Sequence, residues 1–307
     1  MKDPIAVFDS GLGGLTVVAE LRRQLPKECF VYFGDTARVP YGCKSPQTVK
    51  TFAMQAVEFL LQFDPKIIVA ACNTASSIAL ETLQDVLDIP VIGVIEPGAQ
   101  AALKAAGEKC MAVIGTEATI GSRAYHRAIW RIAPQARIVA KACPLLVGMV
   151  EEGRAPGDPL VQMVLQEYLG PLKEHDPGVL LLGCTHYPLL REAFAQVMGP
   201  KVTIIDSAYH TAEQVAELAP KTTEDSKHSQ SPTVHCYVTD NPERFAFLGA
   251  KFLQQALGQV SYVPLDALIG DPGGALGVMA SGKAATDLDV IAEIGPPGDR
   301  GESGGVG

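Results

Sequence analysis

The sequence lacks several things that would have named a broad class at once. No apolar run approaches the ~18 residues that a membrane-spanning helix needs. There is no basic excess: 25 Lys and Arg face 34 Asp and Glu, a net charge of -9, which disfavours a general electrostatic nucleic-acid binder. The start, Met1-Lys2-Asp3-Pro4, carries an acid and no long apolar stretch with a cleavage site, so no secretory signal is expected. The seven cysteines (Cys29, Cys43, Cys72, Cys110, Cys143, Cys184, Cys236) are odd in number and contain no C-x-x-C pair. A disulfide framework or zinc ribbon is therefore not expected, and the thiols read as reduced, in a cytosolic protein. Neither G-x-x-x-x-G-K-[ST] nor H-E-x-x-H occurs. Gly11-Leu12-Gly13-Gly14 falls short of a dinucleotide fingerprint because position 16 is Thr16; these glycines read instead as a tight strand-to-helix turn.

What is present is a long chain with ample apolar material. The 307 residues suggest about two domains at ~150 residues each, and 47% hydrophobic residues exclude wholesale disorder. Short apolar runs alternate with helical patterns. Strands are predicted at Ile5–Phe8, Phe30–Phe33, Ile67–Ala70, Pro90–Val94, Met111–Ile114, Arg137–Ala140, Val179–Leu182, Val202–Ile205 and Val234–Val238. Helices are predicted up to Leu25, over 46–63 and 74–87, from Thr119, over 159–172, from Pro188 and over 242–257. A repeated switch between strand runs and a 3.6 period is the mark of βαβ units around a buried, mostly parallel sheet. Residues 220–232 are polar and aperiodic and read as a surface loop.

The two halves repeat in pattern. Ile5-Ala6-Val7-Phe8-Asp9-Ser10 resembles Met111-Ala112-Val113-Ile114-Gly115-Thr116, and Ile67-Ile68-Val69-Ala70-Ala71-Cys72-Asn73-Thr74 resembles Val179-Leu180-Leu181-Leu182-Gly183-Cys184-Thr185-His186. Ser10 and Cys72 are 62 positions apart, Thr116 and Cys184 68, so order and spacing are both kept. A buried cysteine is ordinarily a small hydrophobe. Two at matching points of a duplicated fold, each just past a strand where ligands of open α/β sheets bind, suggest chemistry. A helix beginning at each cysteine would lower its pKa from the free value of ~8.5. Only His186 accompanies the pair, so no metal set is expected. Thiols approaching one ligand from opposite sides suit removal of a proton from one face of a carbon and delivery to the other, an inversion of a stereocentre. Asp9 could tune Cys72 and His186 could tune Cys184; taken singly, Asp9 also reads as a cap and His186 as a satisfied half-buried histidine.

Asp9-Ser10-Gly11-Leu12-Gly13-Gly14, Gly34 to Gly42, Ala71-Cys72-Asn73-Thr74-Ala75-Ser76, Val94 to Gly98, Gly183-Cys184-Thr185-His186-Tyr187-Pro188 and Val238 to Phe245 together resemble the glutamate racemases of the aspartate/glutamate racemase family, over about residues 4–266. The resemblance implies two pseudo-symmetric α/β domains with mostly parallel sheets. It implies cofactor-independent interconversion of L- and D-glutamate, supplying D-glutamate for bacterial peptidoglycan. By the same resemblance Cys72 takes the α-proton of D-glutamate and Cys184 that of L-glutamate, assisted by Asp9, His186 and a glutamate of the Glu151-Glu152 pair, taken as Glu152. Substrate contacts map to Asp9, Ser10, Tyr41, Gly42, Asn73, Thr74, Thr185 and His186, with Thr116 and Thr119 added. Backbone and hydroxyl donors of this kind suit a dicarboxylate, and fixed hydrogen bonds would stabilise carbanion charge.

The domain layout expected is a first domain over residues 1–95, completed by 208–266, a second over 96–207, and a Gly-rich tail over 267–307, expected to be disordered because it cannot bury enough to offset its ordering entropy. The partner expected is a small-molecule substrate, glutamate, with no nucleic acid and no membrane; a homodimer is left open. Two rivals stand beside this reading: an aspartate racemase, and a non-catalytic protein that binds an acidic ligand in the same cleft.

Overall fold

The structure, a computed structural model, describes residues 3–219 and 234–268. The loop read at 220–232, and the Gly-rich tail beyond Leu268, lie outside the described residues. Among the described residues no helix is long and apolar enough to cross a membrane.

In chain order the elements are β1 (Ile5–Asp9), α1 (Leu15–Gln24), β2 (Phe30–Gly34), α2 (Pro46–Leu61), β3 (Ile67–Ala70), α3 (Asn73–Ile78), α4 (Leu80–Val86), β4 (Val91–Gly93) and α5 (Ile95–Ala106). Then come β5 (Cys110–Gly115), α6 (Glu117–Gly121), α7 (Ala124–Ile132), β6 (Ile138–Ala142), α8 (Leu145–Glu151), α9 (Pro159–Lys173), β7 (Pro177–Gly183), α10 (Arg191–Met198) and β8 (Thr203–Asp206). The last are α11 (Ala208–Leu218), β9 (Val234–Val238), α12 (Pro242–Leu253) and β10 (Val260–Tyr262).

Helix starts follow local chemistry. Ser45 accepts from the Thr48 amide ahead of Pro46, and Asp158 from the Leu160 amide ahead of Pro159. Asn241 accepts from the Arg244 amide ahead of Pro242. Each proline sits at a first-turn position that needs no amide hydrogen. The expected helix over 74–87 is two, α3 and α4, divided at Ala79. The helix expected from Pro188 begins as a tight 3-10 turn, Tyr187–Leu190, before α10. From the sequence no helix is expected between Val94 and Met111; the structure forms α5 there, with Pro97 in its first turn, where a proline is tolerated.

The strands form two all-parallel sheets, ordered β10-β9-β2-β1-β3-β4 and β6-β5-β7-β8. Strands β1 to β4 and β5 to β8 are arranged alike, and the repeat seen in the sequence is kept in register. Ile5 pairs with Ile67, and their counterparts Met111 and Val179 pair in the second sheet. In both sheets the strand order reverses at the first strand of the repeat, which is where a crevice opens at strand carboxyl ends. Strands β9 and β10, which follow the second sheet in the chain, extend the first sheet from β2.

Both faces of the sheets are covered. In the second sheet Met111, Val113, Val179 and Leu181 pack with Ile95, Ala99, Tyr125 and Ile129 of α5 and α7. Ala112, Ile114, Leu180 and Leu182 point the other way into a larger cluster. At ~1.5–3 kcal/mol for each fully buried Val, Leu or Ile, these residues hold the strands rigid, so that the loops at their ends are positioned by the core.

Candidate active site

Asp9 ends β1, Cys72 follows β3, Thr116 follows β5 and Cys184 follows β7. These strand ends converge. Ser10, Tyr41, Gly42, Cys72, Asn73, Thr74, Thr116, Cys184, Thr185 and His186, with Val39, Pro40 and Val147, line one cavity of about 20 Å³. Thiols from equivalent ends of the two sheets thus share one chamber. A cavity of this size holds about one water, so its walls must part to admit an amino acid. A wider cleft of about 910 Å³ along α4, β4, α5 and α7 contains neither thiol.

The two sulfurs have different surroundings. The Cys72 thiol donates to Ser10 Oγ at 3.7 Å. Burial, reinforced by the Asp9 charge, pushes it up to about 12, against the opposing pull of the Ala75 amide and Ser10. The lowering expected from a helix start is present in that amide, and desolvation outweighs it; Cys72 rests as a thiol. Cys184 Sγ lies 3.8 Å from His186 Nδ1, and His186 Nε2 lies 3.0 Å from Glu151 Oε1. Burial alone would push the imidazole down, but its hydrogen bonds and charge interactions with Cys184 and Glu151 hold it at about 10. His186 is therefore cationic at neutral pH, and its ring stands nearly perpendicular to that of Phe252, centroids 5.7 Å apart.

Asp9 is fully enclosed. Its carboxylate accepts from the Gly11 amide at 3.0 Å and from Thr185 Oγ1 at 3.4 Å. Burial raises its pKa, opposed by His186 and the Gly11 and Gly14 amides. Asp9 therefore acts on Cys72 through charge, while its hydrogen bonds reach the opposite strand end at Thr185.

The glycines next to Asp9 serve a close approach between strand ends. A Cβ on Gly13 would lie 2.2 Å from Thr185 Oγ1 and 2.6 Å from His186 Nδ1. Thr16 Oγ1 tightens the turn by donating to Gly13 O at 2.8 Å. Gly42 makes a second such approach, its missing Cβ falling 2.5 Å from Thr116 Cβ. The segment holding Tyr41 and Gly42 is anchored on buried Asp35, which accepts from Tyr41 OH at 2.5 Å, Arg38 Nε at 2.7 Å and Thr239 Oγ1 at 3.0 Å. Thr74 Oγ1 lies 2.9 Å from Thr116 Oγ1 and 3.3 Å from Thr119 Oγ1, so hydroxyls from both sheets meet. Thr119 thus joins the hydroxyl cluster from behind Thr116.

The structure does not bring Glu152 to the cavity. Its carboxylate pairs with Arg154 at 3.0 Å and its side chain is 64% exposed. The acid on His186 is Glu151. The reason is helical phase: Glu151 stands four residues after Val147, which lines the cavity, and so shares its face. That signal is readable in the sequence only once α8 is known to be a helix.

The family described as Asp/Glu/Hydantoin racemase matches residues 12–215. The chain belongs to that family. Its relatives there include the glutamate racemase of Geobacter metallireducens, 46% identical over 269 residues, covering 86% of this chain and 97% of the relative. A glutamate racemase isoform from Bacillus anthracis superposes with a TM-score of 0.80 at 39% identity, covering 86% of this chain and 98% of that one. The Francisella tularensis glutamate racemase in complex with D-glutamate gives a TM-score of 0.78 at 38% identity, with the same coverage.

Proposed function

We propose that the chain interconverts L- and D-glutamate by transferring protons between two thiols across the substrate's α-carbon. The observation that carries this reading is the shared cavity: Cys72 and Cys184 line it from equivalent strand ends of two sheets. Relatives at 40–46% identity are glutamate racemases, which favours glutamate over aspartate.

In the L-to-D direction, Cys184 Sγ beside the His186 cation takes the α-proton, and the S–H bond forms as the Cα–H bond breaks, its electron pair staying on the carbon. Cys72, resting as a thiol, delivers its proton to the opposite face of the same carbon. The reverse direction exchanges the two roles. Proton transfer alone balances the reaction, so the reading invokes no cofactor. The α-proton is a poor acid, and the developing negative charge needs fixed donors at the carboxylate. In this reading the Ser10 and Thr74 hydroxyls and the Asn73 amide supply them, while the Thr116 and Thr185 hydroxyls, which donate to Thr119 and Asp9, brace the wall of the cavity. Asp9, enclosed and not among the residues lining the cavity, acts on Cys72 and His186 through its charge.

This assignment takes residues 1–95 with 208–266 as one catalytic lobe and 96–207 as the other. It makes the chain a cytoplasmic isomerase that provides D-glutamate for peptidoglycan. The deciding experiment is circular dichroism of purified protein with each enantiomer of glutamate and of aspartate, in buffer without added cofactor, repeated in D2O. The expected result is loss of optical activity with glutamate and deuterium at its α-position. Turnover of aspartate alone would overturn the substrate, and absence of α-deuterium would overturn the two-thiol route.

A further inference from the structure

Tyr125 lies in α7, 2% exposed, and does not line the thiol cavity. Its hydroxyl accepts from Asn73 Nδ2 at 2.8 Å and lies 3.2 Å from Ser207 Oγ. Burial pushes its pKa up, so the phenol stays neutral with one proton to give. With Asn73 as donor, that proton is free to go to Ser207. Asn73 is the residue after Cys72. The Tyr125 ring packs on Gly183, the residue before Cys184, so closely that a Cβ there would fall 2.9 Å from Cε2. Ser207 is itself wedged: a Cβ on Gly98 would fall 2.6 Å from its Oγ. One buried side chain therefore touches the chain neighbours of both thiols, the first through a hydrogen bond and the second through packing.

We propose that Tyr125 is a positioning residue for the racemisation: a strut that fixes the Asn73 amide and sets the spacing of the strand ends carrying Cys72 and Cys184. The proposal rests on the two-thiol reading given above. The physical reason is geometric. A carbon shuttling a proton between two sulfurs tolerates little misplacement, and an error of ~1 Å can cost ~10²-fold in rate. An amide presents two donors and one acceptor, and anchoring Nδ2 decides which edge of Asn73 faces the cavity. Tyr125 reaches no reacting atom, so its effect passes through Asn73 and Gly183.

A purely structural role makes a different forecast. Tyr125 also belongs to the apolar cluster of α5, α7 and the second sheet, with Ile95, Ala99, Val113 and Leu181. Tyr125→Phe keeps that ring and removes only the hydroxyl. If packing were its whole role, thermal stability would fall slightly and kcat would not change.

The test measures kcat and KM for both glutamate enantiomers in wild type, Tyr125→Phe, Asn73→Ala and the double variant, with melting curves confirming that each is folded. The expected result is a kcat about tenfold lower in both directions for Tyr125→Phe with KM within about twofold, and a double variant no slower than Asn73→Ala alone. Ser207→Ala, which removes only the second partner of the hydroxyl, is expected to lower kcat about twofold to threefold and serves if Tyr125→Phe does not fold. Wild-type kcat in Tyr125→Phe, or effects that multiply independently in the double variant, would overturn the role while leaving the racemase reading intact. Wild-type protein that leaves both enantiomers unchanged would overturn that reading and this role with it.

Discussion

His186 is held from both sides: Glu151 Oε1 is 3.0 Å from Nε2, and Cys184 Sγ is 3.8 Å from Nδ1. A carboxylate, an imidazole and a thiol thus form one line, with the next acid in sequence turned outward onto Arg154. The arrangement makes unlike forecasts for two adjacent and chemically identical residues. Glu151→Gln should slow racemisation by roughly tenfold or more, since it removes the partner that keeps the imidazole protonated and oriented. Glu152→Gln should leave the rate within about twofold, as exposed ion pairs contribute little. Circular dichroism of D-glutamate turnover by the two purified variants checks this, and equal losses would contradict the geometry.

The same line sets a pH dependence of stability. The folded protein holds the His186 proton to about 10, whereas an unfolded histidine releases it near ~6.5. The folded state binds this proton more tightly, so the stabilisation is complete below about pH 6.5 and is lost as pH rises through 10. Cys72, held at about 12, acts in the same direction once an unfolded thiol would ionise. The melting temperature should fall steadily between about pH 7 and pH 10, and Glu151→Gln should flatten that slope. Thermal melts at constant ionic strength read both; a melting temperature that rises over this range would exclude a raised His186.

Neither thiol should be replaceable by a hydroxyl. Cys72→Ser and Cys184→Ser should each lower racemisation by ~10³-fold or more, because a serine hydroxyl is a far weaker acid than a thiol and general acid–base catalysis contributes ~10²–10⁴-fold. The side chains are nearly isosteric, so melting temperatures should stay close to wild type. The check pairs those melts with α-deuterium incorporation from D2O. A serine variant that exchanges at the wild-type rate would remove that cysteine from the chemistry.

Two glycine substitutions separate close approach from helix propensity. Gly13→Ala should abolish turnover, since its Cβ would drive into Thr185 Oγ1 and His186 Nδ1. Gly148 lies on the exposed face of α8 with nothing within 4 Å of a Cβ. Gly148→Ala should stabilise the protein by about 0.5–1 kcal/mol with activity unchanged. Denaturant unfolding and the racemisation assay distinguish the two outcomes.

Much of this architecture was readable in the residues, for a physical reason. Strands buried on both faces must be continuous apolar runs, so Ile67–Ala70 and Val179–Leu182 announce themselves, and a residue standing just past such a run is forced to the sheet's edge. Cys72, Cys184, Asp9 and Thr116 were legible in this way. The rest depends on contacts across the fold. The choice between Glu151 and Glu152 needs the phase of a seven-residue helix that propensity does not announce. The glycines after Asp9 read as a turn, but Gly13 is small because of Thr185 and His186, more than 170 positions away. Tyr125 reads as an ordinary aromatic of an amphipathic helix until its hydroxyl is seen against Asn73.

The first sheet is stitched from segments far apart in the chain. Strand β2 pairs with β1 on one side and, from Phe30 to Gly34, with Val234 to Val238 on the other. During synthesis that outer edge stays bare until some two hundred further residues have left the ribosome, and open strand edges invite pairing with the wrong chain. Nascent forms cut short before β9 should therefore keep that edge open and mispair more readily than the chain that carries this strand.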